Sequence, residues 1–333
     1  MNKKCVGCGS LLQSKYPDKD GYINEELIND AKYCKRCFKI KNYGEYTVIT
    51  EKIEFDKIIK DINNTESLVV FLVDILNINQ DAIKFLKKFK NEKLIVITKR
   101  DVIPKSVKDN KIINYFNENF YRTDNIICVS SYKNKNIDEF LNKIRNLNYK
   151  KVYIVGLTNS GKSTFINAIL KSIGKEPIIT TSALPNTTIN YIEIKINEDI
   201  TIIDTPGFVL ENSIYNYISF NEVKKITPTK ELKVKTYQIK PEETIFVDGL
   251  FRIDYLSKHK NSFSFYMNNN LNFNRMKIKT RDTLKALPKK NLHLNSNEDI
   301  VINGLGFIKV IKECDVVIYT LDESLISTRK SMI

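Results

Sequence analysis

Apolar residues follow two patterns along the chain, and one gives way to the other near residue 215. In the first pattern, continuous apolar runs alternate with amphipathic segments. LVVFLVD (68–74), LIVIT (94–98), NIICVS (125–130) and KVYIVG (151–156) are unbroken runs, as expected of strands buried on both faces. Residues 79–90 place Ile83, Leu86 and Phe89 on one side of a helix, and residues 137–147 do the same with Ile137, Leu141 and Ile144,. Segments 53–66 and 162–173 also predict helices. YIEIKI (191–196) and ITIID (200–204) predict an antiparallel pair at a sheet edge. Strands alternating with helices at this spacing predict an α/β fold with a mainly parallel sheet. In the second pattern, short β-rich runs dominate: TIFVDGLFRIDYL (244–256), SFSFYM (262–267), DIVINGLGFIKVI (299–311) and DVVIYTL (315–321). Three domains are expected: a small polar one over 1–45, the α/β domain over 50–214, and a β-rich binding domain over 215–333.

Composition adds two constraints. The 333 residues carry a formal charge of +14 and a pI near 9.2, which favours a polyanionic partner such as nucleic acid or a ribonucleoprotein. A general Lys and Asn bias competes with that reading. No uncharged apolar stretch reaches the ~18 residues of a membrane span, and the N-terminus MNKKCVGCG lacks an apolar leader,. A cytoplasmic protein with no membrane partner is expected.

Four of the six cysteines form two Cys-x-x-Cys pairs, Cys5/Cys8 and Cys34/Cys37. Four thiolates suit tetrahedral Zn2+ and leave no open position, so the site would be structural. Iron in the same cage stays chemically open, whereas disulfides are disfavoured in a cytoplasmic chain. Residues 1–42 are too poor in apolar side chains to fold without such a staple. Lys35, Arg36, Lys39 and Lys41 crowd the second pair and offer RNA phosphates a contact surface, or else form a solvated face. Cys128 and Cys314 stand in apolar runs and read as buried thiols.

The chemistry-bearing signal begins at Gly156. Gly156-Leu-Thr-Asn-Ser-Gly161-Lys162-Ser163 matches GxxxxGK[ST] and joins a strand to a helix, the context this phosphate-binding loop requires. Lys162 is placed to reach the β- and γ-phosphates, Ser163 to bind Mg2+, and the helix N-terminus to add favourable dipole charge. Asn159, Ser160 and Thr164 are further nucleotide contacts. Asp204-Thr205-Pro206-Gly207 ends a later strand; Asp204 suits the Mg2+ shell and Gly207 can offer its amide to the γ-phosphate. Between them TTSALPNTTINY (180–191) supplies Thr187 or Thr188 for Mg2+, and the residues do not separate the two. A guanine-reading Asp is expected at a strand end. None follows Gly207, but Thr98-Lys99-Arg100-Asp101 precedes the P-loop, and Ser130-Ser131 follows the next strand. Base-reading elements therefore come before phosphate-reading ones in the chain.

With the motif order TKRD, SSYK, GLTNSGKS, TTSALPNTT, DTPG, and the Cys-x-x-Cys pairs ahead of it, the sequence resembles the circularly permuted GTPases, specifically the YqeH family of ribosome-assembly GTPases. The resemblance covers about the first 215 residues. It implies a GTP/GDP cofactor and slow GTP hydrolysis during assembly of the small (30S) ribosomal subunit, with rRNA or ribosomal particles as partner. A nucleotide-gated binding module with negligible hydrolysis is the alternative. Where the family has Asn at the start of its base motif this chain has Thr98, which lacks the amide that tethers neighbouring loops. Where it has Gly in the second threonine loop this chain has Asn186, and Ser131 replaces the usual Ala. Phe208 follows DTPG, so no side chain there can orient water. Asn159 is then the candidate ligand of a K+ ion that would supply the missing charge, consistent with Asn at this position in related potassium-dependent GTPases. Lys162, Asn159, Thr188 and Gly207 form the expected catalytic set.

Overall fold

The computed structural model describes residues 55–175, 192–208, 210–278 and 287–333, with Lys3, Cys5, 11–16, 21–28, Ala31 and Cys34 nearer the N-terminus. Six strands, β1 (Leu68–Asp74), β2 (Glu92–Thr98), β3 (Ile126–Cys128), β4 (Lys151–Gly156), β5 (Ile192–Lys195) and β6 (Thr201–Asp204), build one sheet in the order β3-β2-β1-β4-β6-β5. Every pairing is parallel except β5 with β6. The expected antiparallel pair is present, with β5 at the edge. Strand β4, fourth in the chain, lies near the middle of the sheet between β1 and β6.

Period-two alternation divides each buried strand between two cores. Val69, Phe71 and Val73 of β1 face one cluster, with Ile58 and Ile62 of α1 (Phe55–Asn63), Ile83 of α2 (Gln80–Leu86) and Phe116 of α3 (Asp109–Asn119). Leu68, Val70 and Leu72 face the other, with Phe140 and Ile144 of α4 (Ile137–Leu147) and Phe165 and Ile169 of α5 (Lys162–Ser172). The sheet is thus covered on both sides. Helix α3 is not evident from the chain's pattern. Its segment DNKIINYFNEN is rich in asparagine, a weak helix former, and burial of Ile112, Tyr115 and Phe116 on one face decides the matter.

The β-rich region forms two five-stranded antiparallel sheets. One has the order β16-β13-β14-β10-β7 and the other β11-β8-β9-β15-β12. The strands are β7 (Lys235–Ile239), β8 (Glu243–Val247), β9 (Phe251–Tyr255), β10 (Asn261–Met267), β11 (Phe273–Lys277), β12 (Lys289–Leu294), β13 (Glu298–Ile302), β14 (Gly306–Val310), β15 (Cys314–Thr320) and β16 (Ile326–Lys330). Ile253, Phe263, Ile300, Ile308 and Ile318 share the core between the sheets, as in a β-sandwich. Alternation turns Val301, Tyr266 and Phe307 the other way, and these join Ile75, Leu76 and Phe85 of the α/β unit in one cluster. A short helix α6 (Phe220–Ile226) lies in the connection, its N-terminus closed by a Ser219/Glu222 capping box,.

Candidate nucleotide site

Parallel pairing brings the functional loops to one edge of the sheet. Gly156 lies opposite Leu72, Ile154 opposite Asp204, and Asp74 opposite Thr98. The loops after β4, β6, β1, β2 and β3 therefore leave the same edge, which is where open α/β sheets bind ligands.

The P-loop is held from two sides. On one, Thr158 N–H donates to the Phe208 carbonyl at 2.7 Å, and Phe208 N–H donates to the Gly156 carbonyl at 3.1 Å. These bonds zip the segment after β6 to the loop that follows β4. On the other, the Thr98 hydroxyl donates to the Ser160 carbonyl at 2.5 Å and lies 3.3 Å from the Val73 carbonyl. Thr98 lacks the amide that the family has at this position but keeps a hydroxyl, and that hydroxyl ties the TKRD strand to the P-loop. A side chain on Gly156 would force its neighbours to shift, because a Cβ there would meet Ser160 Oγ at 2.6 Å and Leu72 Cβ at 3.1 Å. Asn159 takes a left-handed backbone, φ 61°, a region where asparagine is enriched. Gly161 caps α5, with Ser163 and Thr164 in its first turn.

Lys162 pairs with the Asp204 carboxylate and donates to the Thr205 carbonyl. Burial pushes the Asp204 carboxyl up from the ordinary range, and Lys162 works against that shift. The P-loop lysine and the strand-end carboxylate neutralise each other here. Phe208 is 1% exposed and its ring packs against Phe55 and Phe85 at 4.8 and 4.6 Å. The residue after Gly207 is therefore an anchor in the α1–α2 core and points away from the phosphates' loop.

The TKRD and SSYK loops are bound to each other and to the end of β1. Lys99 also has a left-handed backbone, φ 57°, and its ammonium pairs with Asp74 at 2.8 Å. Burial alone would lower the Lys99 pKa, but Asp74 and nearby groups outweigh it and hold the ammonium above its ordinary value. Arg100 is buried; it donates to the Ile103 and Val107 carbonyls and pairs with Asp109. The other Asp109 oxygen takes Lys135 at 2.8 Å. Arg100 N–H donates to the Val129 carbonyl at 3.0 Å. Ser130 is fully buried and its hydroxyl accepts from Lys133 N–H at 3.1 Å. Asp101 and Ser131 are partly exposed beside them.

Asp74, Asp109 and Tyr215 were not singled out as site residues from the sequence. Asp74 gave one signal, a carboxylate closing an apolar strand. Asp109 and Tyr215 gave none: Asp109 opens a polar, asparagine-rich segment, and the partner of Tyr215, Gly304, is remote in the chain. Thr187 and Thr188 lie outside the described residues, as do Cys8 and Cys37. Cys5 and Cys34 are both 1% exposed, and Cys34 N–H donates to Cys5 Sγ at 3.1 Å. Among the described residues no group of three His, Cys, Asp or Glu is gathered as for a metal. No helix among them is long and apolar enough to cross a membrane.

Comparison with known proteins agrees with this geometry. Residues 151–254 match the family described as 50S ribosome-binding GTPase. Over 337 aligned residues the chain is 34% identical to YqeH of Bacillus subtilis (strain 168), with 92% of each chain covered. It is 26% identical to NO-associated protein 1, chloroplastic/mitochondrial, of Arabidopsis thaliana, over 79% of this chain and 56% of that longer one. With the TKRD and SSYK strands, β2 and β3, preceding the P-loop strand in the chain yet running parallel to it in the same sheet, on the far side of β1, the chain belongs to the YqeH family of circularly permuted P-loop GTPases, proteins that bind and hydrolyse GTP.

Proposed function

We propose that this GTPase acts in assembly of the small ribosomal subunit, binding rRNA or ribosomal particles through its terminal domains, 1–45 and 215–333, around the GTPase domain of 50–214. The observation that carries the reading is the meeting of two loop sets at one sheet edge. Gly156, Asn159, Ser160, Gly161, Lys162, Ser163 and Thr164 with Asp204 and Gly207 form the phosphate side, and Thr98, Lys99, Asp101, Ser130 and Ser131 the base side. Asp101 reads the guanine ring, Lys99 covers it, and Thr98 braces the loop from behind. Ser163 and Asp204, with Thr187 or Thr188, would hold Mg2+, and nucleotide binding transfers Lys162 from Asp204 to the phosphates. The metal supplies charge neutralisation at the phosphoryl oxygens.

With Phe208 turned into the core, the charge developing between the β- and γ-phosphates needs another stabiliser. Asn159 is our candidate ligand for a K+ ion serving that purpose. At the N-terminus, buried Cys5 beside buried Cys34, with an amide donated to sulfur, fits half of a thiolate Zn2+ site that Cys8 and Cys37 would complete. The net charge of +14 supports a polyanionic partner.

Co-sedimentation with small subunits in GDP, a non-hydrolysable GTP analogue and no nucleotide tests the partner. Nucleotide-dependent binding to small subunits is expected; equal binding in all three conditions, or binding to large subunits alone, contradicts it. Phosphate release at fixed ionic strength, with only the cation changed, tests K+. Faster release in K+ than in Na+ is expected, with the difference lost in Asn159→Ala.

A further inference from the structure

Behind the base-reading lysine, polar contacts lead out of the α/β unit into the sandwich. Asp74 sits at the end of β1 and is 6% exposed. Its Oδ2 accepts from Lys99 Nζ at 2.8 Å and from Asn77 Nδ2 at 3.0 Å, and its Oδ1 accepts from Leu76 N–H at 3.0 Å. Asn77 Oδ1 in turn accepts from Gly304 N–H at 2.7 Å. Gly304 belongs to the tight turn between β13 and β14, and its carbonyl accepts from the Tyr215 hydroxyl at 2.8 Å. Beside this path Asn79 donates to Asn303 at 2.7 Å. The path therefore runs from Lys99 to the sandwich turn and on to Tyr215 of the connecting segment.

Two further observations mark this as a fitted contact. Gly304 has φ +90°, and a Cβ on it would meet Ile214 Cγ2 at 2.8 Å and Tyr215 Cε2 at 3.1 Å. The turn is thus seated against the connecting segment as closely as a backbone allows. A cavity of about 40 Å³ opens between Asp74, Asn77, Ser160, Tyr215, Asn303 and Gly304. Ser160 Oγ and Asn303 Nδ2, one from each unit, are buried at the residues lining it and have no hydrogen-bond partner.

We propose that Asp74, Asn77 and Tyr215 are positioning residues of the guanine site, which hold Lys99 ready for the base and make that hold depend on the Asn303–Gly304 turn of the sandwich. The inference rests on the reading that Lys99 covers the guanine ring. A lysine side chain is long and mobile, and its backbone here is left-handed; both favour dispersal unless neighbours fix it. Asp74 fixes the ammonium, and Asn77 fixes Asp74 from the side the sandwich occupies. Preorganisation of this kind raises affinity by lowering the ordering cost of binding. A partner that moves the sandwich turn would then change how long guanine nucleotide stays bound, without touching the nucleotide.

The test is the dissociation rate of fluorescent GDP from the full-length protein, paired with competition by inorganic tripolyphosphate, which engages the phosphate side alone. Asn77→Ala and Tyr215→Phe each remove one link, and Gly304→Ala displaces the turn from the sandwich side. The expected result is GDP release about three- to tenfold faster, the range a lost hydrogen bond supports, with tripolyphosphate competition unchanged. Tyr215→Phe deletes one oxygen and keeps the ring, so it carries the test if Gly304→Ala fails to fold. Wild-type release in Asn77→Ala and Tyr215→Phe overturns the proposal, as does equal weakening of GDP and tripolyphosphate. Asp101→Asn is run alongside. If it fails to shift preference to xanthosine nucleotides, the base-site reading has failed; if it shifts preference while the relay variants behave as wild type, only the relay has failed.

Discussion

Single residues divide into those that face the nucleotide loops and those that hold them, and the two kinds call for different tests. Asp109 is of the second kind, stapling the TKRD loop to the SSYK loop through Arg100 and Lys135. Burial works to raise its pKa, but Lys135 and Arg100 outweigh that and hold the carboxyl below the ordinary range. Its contribution is therefore fully present above the unfolded value of about 3.9 and is lost as pH falls through the lower folded value. Asp109→Asn is expected to cost about 2 kcal/mol near pH 7, as for a hydrogen bond to a charged group. Denaturant titrations should show that gap constant down to about pH 4 and narrowing below it; a gap that narrows well above pH 4, or that does not narrow at all below it, contradicts the assignment. Phe208 is also a holding residue. Phe208→Gln is expected to lower the melting temperature, in line with the ~3–5 kcal/mol of a lost core aromatic, and to leave GTP hydrolysis no faster. A rise in turnover would show that this side chain reaches the reacting phosphate after all.

At the scale of elements, the α/β strands and their loops were legible because buried parallel strands read as unbroken apolar runs and P-loop chemistry needs fixed spacing. The runs at 68–74, 94–98 and 151–156 became β1, the apolar part of β2, and β4. Helix α3 was not legible, since three buried residues outweigh the weak propensity of its asparagines. The pairing of sandwich strands was not legible either. Antiparallel register depends on partners far along the chain, as Asp299 on β13 opposite Arg329 on β16 illustrates. That pair is buried, with the guanidinium 4.6 Å from the Phe307 ring centroid and a further hydrogen bond to the Ile78 carbonyl. It bonds the sandwich to the α/β unit by a charge that the alternating pattern alone would place on a solvated face. Arg329→Ala leaves the Asp299 carboxylate buried without its cation, and a loss of about 3–5 kcal/mol is expected. Chemical denaturation checks it, and a change under about 1 kcal/mol would mean that the pair behaves as a surface one.

For the whole molecule, permutation changes what the nucleotide site is connected to. The segment after DTPG leads directly into the connection that carries Tyr215 and α6 and then into the sandwich, whose turn sits behind Lys99. The continuous apolar cluster joining Val301 and Phe307 to Leu76 and Phe85 opposes a wide swing, so nucleotide state is expected to be felt as local loosening at this contact. Hydrogen exchange of the 210–232 and 303–305 amides in GDP and in a triphosphate analogue should differ; identical protection in both states contradicts coupling by this path.

If loops from the two permuted halves form one guanine-nucleotide site, as proposed, Asp101 and the P-loop act on the same ligand. Steady-state phosphate release from GTP and from xanthosine triphosphate, by wild type and by Asp101→Asn, separates the outcomes. Asp101 precedes the P-loop in the chain by some fifty residues, so its influence on base choice depends on the permuted fold. The wild type is expected to prefer GTP strongly and Asp101→Asn to reverse the preference, because the amide offers one acceptor and one donor where the carboxylate offered two acceptors. Undiminished turnover of GTP by Asp101→Asn, with xanthosine triphosphate still rejected, would contradict it.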